Sequence, residues 1–117
     1  MRVTILDYGS GNLHSLAKAL DDGVSRVRVE TDPVAALDGD VLVLPGVGAF
    51  GHAAEQLRAA RSALRDAIGA GLPCIGICLG MQLLFDASEE GEGKGLGVIE
   101  GSVTRLRARR VPHIGWA

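Results

Sequence analysis

Leu72-Pro73-Cys74-Ile75-Gly76-Ile77-Cys78-Leu79-Gly80-Met81-Gln82-Leu83-Leu84-Phe85 changes its apolar period at the centre. Residues 72–77 read as a short buried strand, and residues 79–85 as the start of a helix. Cys78 stands at the junction, with Gly76 and Gly80 each two residues away. A nucleophile on such a strand-to-helix turn is held in a strained backbone conformation with its side chain exposed. The two glycines are required because a Cβ there would strike the neighbouring chain or a substrate. The helix starts directly behind the sulfur, and its unpaired N–H groups are expected to favour the thiolate.

Upstream, the same strand–helix alternation repeats. Val3-Thr4-Ile5-Leu6 reads as a buried strand, and Leu13, Leu16, Ala17 and Leu20 recur at helical spacing. Val27-Arg28-Val29-Glu30 is a short alternating strand, and Asp32-Pro33 opens a helical turn through Leu37. Asp40-Val41-Leu42-Val43-Leu44 is a third strand, stopped by Pro45-Gly46-Val47-Gly48. Leu57, Ala60, Leu64, Ala67 and Ile68 mark one face of a single long helix. This order predicts an α/β fold, a mostly parallel sheet with helices on both faces. Ligands of such sheets bind beyond the carboxyl ends of the strands, where residues 7–12, 45–51 and 76–80 fall. Downstream, residues 97–100 and 102–107 are expected to form a hairpin.

Composition narrows the function classes. The chain has 117 residues, so it holds one domain or part of one. Apolar residues make up 47% and aromatics 3%, which implies a core of Ala, Val, Leu and Ile. A net charge of −2 gives no reason to expect a nucleic acid or an anionic membrane as partner. No apolar run approaches the roughly 20 residues of a membrane span. The N-terminus turns acidic at Asp7, too soon for a signal peptide, so a cytoplasmic location is the default expectation. Cys74 and Cys78 would lie about 13 Å apart in an extended strand. That exceeds the roughly 7 Å a disulfide allows. Without nearby His or carboxylate ligands they make a poor zinc site, so no metal is expected. Cys74 is expected to be buried and inert, and Cys78 exposed.

Three glycine loops compete for a role. Gly46-Val47-Gly48-Ala49-Phe50-Gly51 matches a dinucleotide fingerprint in letters. The acidic residue that should end the next strand is missing, because that strand ends in Cys78. A plain tight turn explains the glycines but not their density or the proline. The favoured reading is an oxyanion loop facing the sulfur, sharing the work with the N–H of Leu79. Gly9-Ser10-Gly11 reads as a turn, with Asn12 capping the following helix. Gly91-Glu92-Gly93-Lys94-Gly95 lacks the Ser or Thr of a phosphate loop and reads as a mobile surface loop.

A thiolate attacking an amide needs a base that later protonates the leaving nitrogen. His14 and His52 read as surface residues of helices. His113 alone follows Cys78, but no acid follows it, and Pro112 and Gly115 suggest a turn. The base is therefore expected from outside this sequence. Gln82 lies one turn after Cys78 on the same face, and its amide both donates and accepts. It suits either a substrate contact or an ordinary surface position. Arg105, Arg107 and Arg109 share a strand face that is either solvated or a docking surface.

Together these residues resemble a known family. Gly-Ile-Cys-Leu-Gly-Met-Gln is similar to the nucleophile motif of class I (triad) glutamine amidotransferases. Residues 7–13, 44–51 and 112–116 narrow the resemblance to the glutaminase subunits of imidazole glycerol phosphate synthase. The resemblance implies that Cys78 forms a glutamyl thioester and that Val47 and Leu79 supply the oxyanion hole. It places Gly48 and Gln82 at the bound L-glutamine, and Asn12, His113 and Trp116 at or near a subunit interface. The implied partner is a (β/α)8-barrel cyclase subunit that receives the ammonia, in histidine biosynthesis, and no cofactor is implied. Family members carry their catalytic His and Glu further on, in a His-Pro-Glu type motif absent here. Residues 1–117 are thus expected to be the N-terminal part of a single amidotransferase domain, inactive alone. Two other readings stay open: a non-catalytic module docking a synthase partner, and another elbow-cysteine hydrolase of similar topology.

Overall fold

The structure, a computed structural model, describes residues 1–9, 13–88 and 93–103. Four strands form one sheet: β1 (Arg2–Leu6), β2 (Arg26–Glu30), β3 (Val41–Leu44) and β4 (Cys74–Gly76). Their order is β2-β1-β3-β4, and every pairing is parallel. Val3 lies opposite Val27 on one side and Val41 on the other, and Val43 lies opposite Ile75. The chain reverses its direction of winding after β2, which opens a crevice at the carboxyl ends of β1 and β3.

The connections are helical and occupy both faces, as expected. They are α1 (Leu13–Leu20), a 3-10 turn (Ala35–Leu37), α2 (Phe50–Leu57) and α3 (Arg61–Gly69). Strand alternation sorts the core. Val3, Ile5 and Val43 face α1, whose Leu13, Leu16, Ala17 and Leu20 are only half-buried. Leu6, Leu42 and Leu44 face the other way, onto Phe50, Leu57, Leu64 and Leu83. A fully buried Leu or Phe side chain contributes roughly 1.5–3 kcal/mol. Most such residues lie on this second face, so it dominates the hydrophobic stabilisation. The same face carries α4 (Leu79–Leu83), the helix behind the cysteine.

Several expectations need correction. The strand before the cysteine is three residues long and not buried: it is the edge of the sheet among the described residues, and Ile75 is 48% exposed. The single helix through residues 57–68 is two helices joined by a 3-10 turn (Arg58–Ala60). Leu57 and Ala60 sit at ψ −3° and 6°, which redirects the axis so that Leu57 and Leu64 reach the same core. No Gly or Pro marks that break. The helix after the cysteine ends at Leu83 rather than running through Phe85.

The expected hairpin is absent: residues 97–100 form no strand, and residues 98–100 bend instead. Their N–H groups are drawn to the end of α4: Gly97 donates to the Phe85 carbonyl and Ile99 to the Leu84 carbonyl. β6 (Ser102–Val103) pairs in parallel with β5 (Ala87–Ser88), while residues 104–107 lie outside the described region. Gly95, expected in a loose loop, is packed so closely that a Cβ would overlap the Phe85 carbonyl.

Candidate active site

Cys78 has φ 53° and ψ −117°, and no other non-glycine residue among those described has a positive φ. Such a conformation typically costs 1–3 kcal/mol and persists only where the surroundings enforce it. Here β3 and α4 enforce it. Before the turn, Ile77 N–H donates to the Leu44 carbonyl at 2.9 Å. After it, Met81 and Gln82 donate to the Cys78 carbonyl at 3.0 and 3.3 Å.

The flanking glycines serve close packing. Neither has a left-handed φ. A Cβ on Gly76 would lie 2.8 Å from the Met81 Cα, and one on Gly80 would overlap the Leu44 carbonyl. The chain therefore folds back on itself within hydrogen-bonding distance, and the Cys78 side chain is left exposed at the carboxyl end of β4.

The expectation of unpaired N–H groups behind the sulfur is overturned. Leu79 donates to the Gly46 carbonyl at 3.1 Å, and Gly80 to the Ile77 carbonyl at 2.9 Å. With Met81 and Gln82 bonded to Cys78, the first four N–H groups of α4 are all satisfied within the chain. Tight i to i−3 bonds of this short helix consume the Gly80 and Met81 donors, an ordinary i to i−4 bond takes Gln82, and the loop after β3 takes Leu79. The Gly46 carbonyl is the part of this site that the sequence did not reveal, because side chains do not record which way a peptide faces.

The loop after β3 places Pro45 and Gly46 in the interior and Val47 and Gly48 at the surface. Gly46 and Gly48 have φ 142° and 112°, a conformation glycine adopts without steric cost. So Val47, Gly48, Cys78 and Leu79 are brought to one end of the sheet, linked directly by the bond from Leu79 to Gly46. Gln82 is half-buried, and its side-chain oxygen accepts from the Ser88 hydroxyl at 3.5 Å. Asn12, His113 and Trp116 lie outside the described residues. His14 and His52 are exposed on α1 and α2, in line with their reading as surface residues. Burial pushes the Cys74 thiol up to about 11, so this half-buried cysteine is a poor nucleophile.

Residues 4–117 match the family of class-I glutamine amidotransferases. The chain belongs to that family. Curated relatives are imidazole glycerol phosphate synthase subunits HisH. That of Thermococcus kodakarensis is 50% identical over 97% of this chain and 56% of its own length. That of Aquifex aeolicus is 50% identical over 99% of this chain and 58% of its own. That of Thermus thermophilus is 46% identical over 99% and 60%. The chain thus spans little more than half the length of these relatives. In fold, this amidotransferase chain resembles a putative peptidase E from Listeria monocytogenes, with a TM-score of 0.61 and 19% identity. That match covers 73% of this chain and 50% of the other.

Proposed function

We infer that this chain is the nucleophile-bearing part of the glutaminase subunit of imidazole glycerol phosphate synthase, acting in the cytoplasm. The observation that carries the reading is the strained, exposed Cys78 beside the residue 45–48 loop. The thiolate attacks the side-chain amide carbon of L-glutamine, and the carbonyl oxygen becomes an oxyanion. Ammonia leaves with a proton from the base, giving a glutamyl thioester. Water then releases glutamate and the thiol. The base is a His–Glu pair of the family that residues 1–117 do not supply.

The oxyanion needs donors where its charge develops. The Leu79 N–H is engaged by the Gly46 carbonyl. In a planar trans peptide the C=O and the following N–H point in opposite directions. Rotating the peptide that joins Gly46 to Val47 would free the Leu79 N–H and turn the Val47 N–H toward it. The glycine at position 46 makes that rotation sterically accessible. Gly48 and Gln82 then contact the bound glutamine, with Gln82 exchanging its Ser88 contact for substrate. The ammonia passes to a (β/α)8-barrel cyclase, with Asn12, His113 and Trp116 at the interface. Delivery under cover is needed because free ammonia is largely protonated in neutral water.

In the complete protein with its cyclase partner, Cys78→Ala should abolish glutamine-dependent turnover and leave ammonia-dependent turnover intact. Unchanged glutamine-dependent turnover would sink the assignment. The engaged Leu79 N–H also favours a second reading, a docking module that no longer uses its cysteine. An electrophilic glutamine analogue separates the two in the assembled complex. Labelling of Cys78 no faster than an ordinary exposed thiol would select the module.

A further inference from the structure

We propose that Arg61 is a positioning residue for Cys78, acting through a strap formed by residues 95–99. α4 has five residues, too few to hold a strained turn by helix formation alone. The Met81 and Gln82 carbonyls accept from Leu84 and Phe85, but the Leu83 carbonyl and those of residues 84–86 just beyond α4 have no helical partner. The strap supplies their donors. Leu96 N–H donates to the Leu83 carbonyl at 2.6 Å, and Ile99 to that of Leu84 at 2.9 Å. Gly97 donates to Phe85 at 3.3 Å, and Gly95 to Asp86 at 2.8 Å.

The strap is shaped for this seat. Gly97 has φ 66°, and a Cβ there would lie 2.6 Å from the Asp86 carboxylate. Leu96 is 2% exposed and joins the core cluster that contains Leu57 and Leu83. A side-chain hydrogen bond also ties the strap to α3: Arg61, at the start of that helix, donates from Nε to the Gly95 carbonyl at 2.8 Å.

A continuous mechanical path follows. α3 holds Gly95 through Arg61, the strap holds the end of α4, and α4 holds the Cys78 carbonyl through the Met81 and Gln82 N–H groups. The Leu44 carbonyl holds the other side of the turn through Ile77. Releasing Arg61 loosens one of the two grips that keep Cys78 at positive φ. The assignment rests on Cys78 being the nucleophile, but its test uses no glutamine.

Amide hydrogen exchange on the complete protein reads the grip directly. Arg61→Met keeps the apolar stem and removes the donor. Arg61 also lines an open cleft of about 270 Å³ beside Gly93 and Lys94, so a shorter side chain there meets solvent rather than a packed core, and the variant should fold. Met81 and Gln82 amides should exchange at least about tenfold faster, with Thr4 and Ile5 in β1 unchanged. Arg61→Lys, which keeps a donor, should restore most of the protection. Unchanged exchange at Met81 and Gln82, equal acceleration in β1, or no recovery with lysine would each overturn the proposal. A failure of glutamine chemistry at Cys78 would leave these exchange rates untouched, so the two ideas fail separately.

Discussion

At the scale of single residues, the site is a contest between strain and function at Cys78. A positive φ costs roughly 1–3 kcal/mol in a non-glycine residue, and glycine removes most of it. Glycine also enlarges the entropy of the unfolded chain, a loss of roughly 0.5–1 kcal/mol. The thiol is exposed, so little burial is forfeited. Cys78→Gly should therefore raise the unfolding free energy by about 1 kcal/mol, whereas Cys78→Ala should change it by less than about 0.5. Urea midpoints of the two variants decide the matter, and a glycine variant weaker than the alanine one would mean the turn stores no strain. Gly80→Ala should behave oppositely. Its methyl would overlap the Leu44 backbone, so a loss of about 3 kcal/mol, the upper end for overpacking, is expected.

At the scale of elements, the sequence declared what side chains control and concealed what the backbone controls. Parallel strands and the cysteine turn were legible because apolar periodicity and paired glycines are side-chain properties. The break between α2 and α3 was not, because Arg58, Ala59 and Ala60 suit a helix and only the shared core forces the bend. The strap was misread as a strand since its donors serve α4 rather than a ladder. Arg28 was likewise read only as part of an alternating strand. It proves to be a staple, with Nε donating to the Thr4 hydroxyl at 3.1 Å and Nη2 to the Ala35 and Asp38 carbonyls at 2.9 and 2.8 Å. It thereby fixes the 3-10 turn against the sheet. Thr4 is fully buried, so removing its partner strands a hydroxyl. Arg28→Met should lower stability by about 1–3 kcal/mol, mainly through these bonds. The pair with Glu30 is at the surface and adds little. Arg28→Lys should rescue only part of the loss, since an ammonium cannot copy the guanidinium fork. A methionine variant as stable as the parent would remove the staple from the account.

At the scale of the whole molecule, two weak acids on the α4 face, the buried Tyr8 and the half-buried Cys74, tie stability to alkaline pH. Burial pushes the Cys74 thiol from 9.0 up to about 11, and raises the Tyr8 phenol well above its ordinary 10.0. Tyr8 is 5% exposed, and its hydroxyl has no hydrogen-bond partner among the described residues, so nothing there offsets the desolvation of a phenolate. Both groups hold their protons longer in the folded state than in the unfolded one. The unfolded chain thus binds fewer protons above pH 9, and stability must fall as pH rises. Below pH 9 the contribution is complete; the loss begins near 9 with Cys74 and deepens above 10 with Tyr8. One pKa unit corresponds to about 1.36 kcal/mol, so full titration of Cys74 alone costs roughly 2–3 kcal/mol. Denaturant melts between pH 7 and 11 test the order of events. Cys74→Ala should move the onset of the decline from about pH 9 toward 10, and Tyr8→Phe should flatten the part above 10. Tyr8→Phe should also gain about 1 kcal/mol at neutral pH, because it removes an unsatisfied buried hydroxyl. If both variants followed the parent slope, the alkaline loss would have to originate elsewhere. The α4 face would then be less dry than its packing of Leu44, Phe50, Leu57 and Leu83 requires.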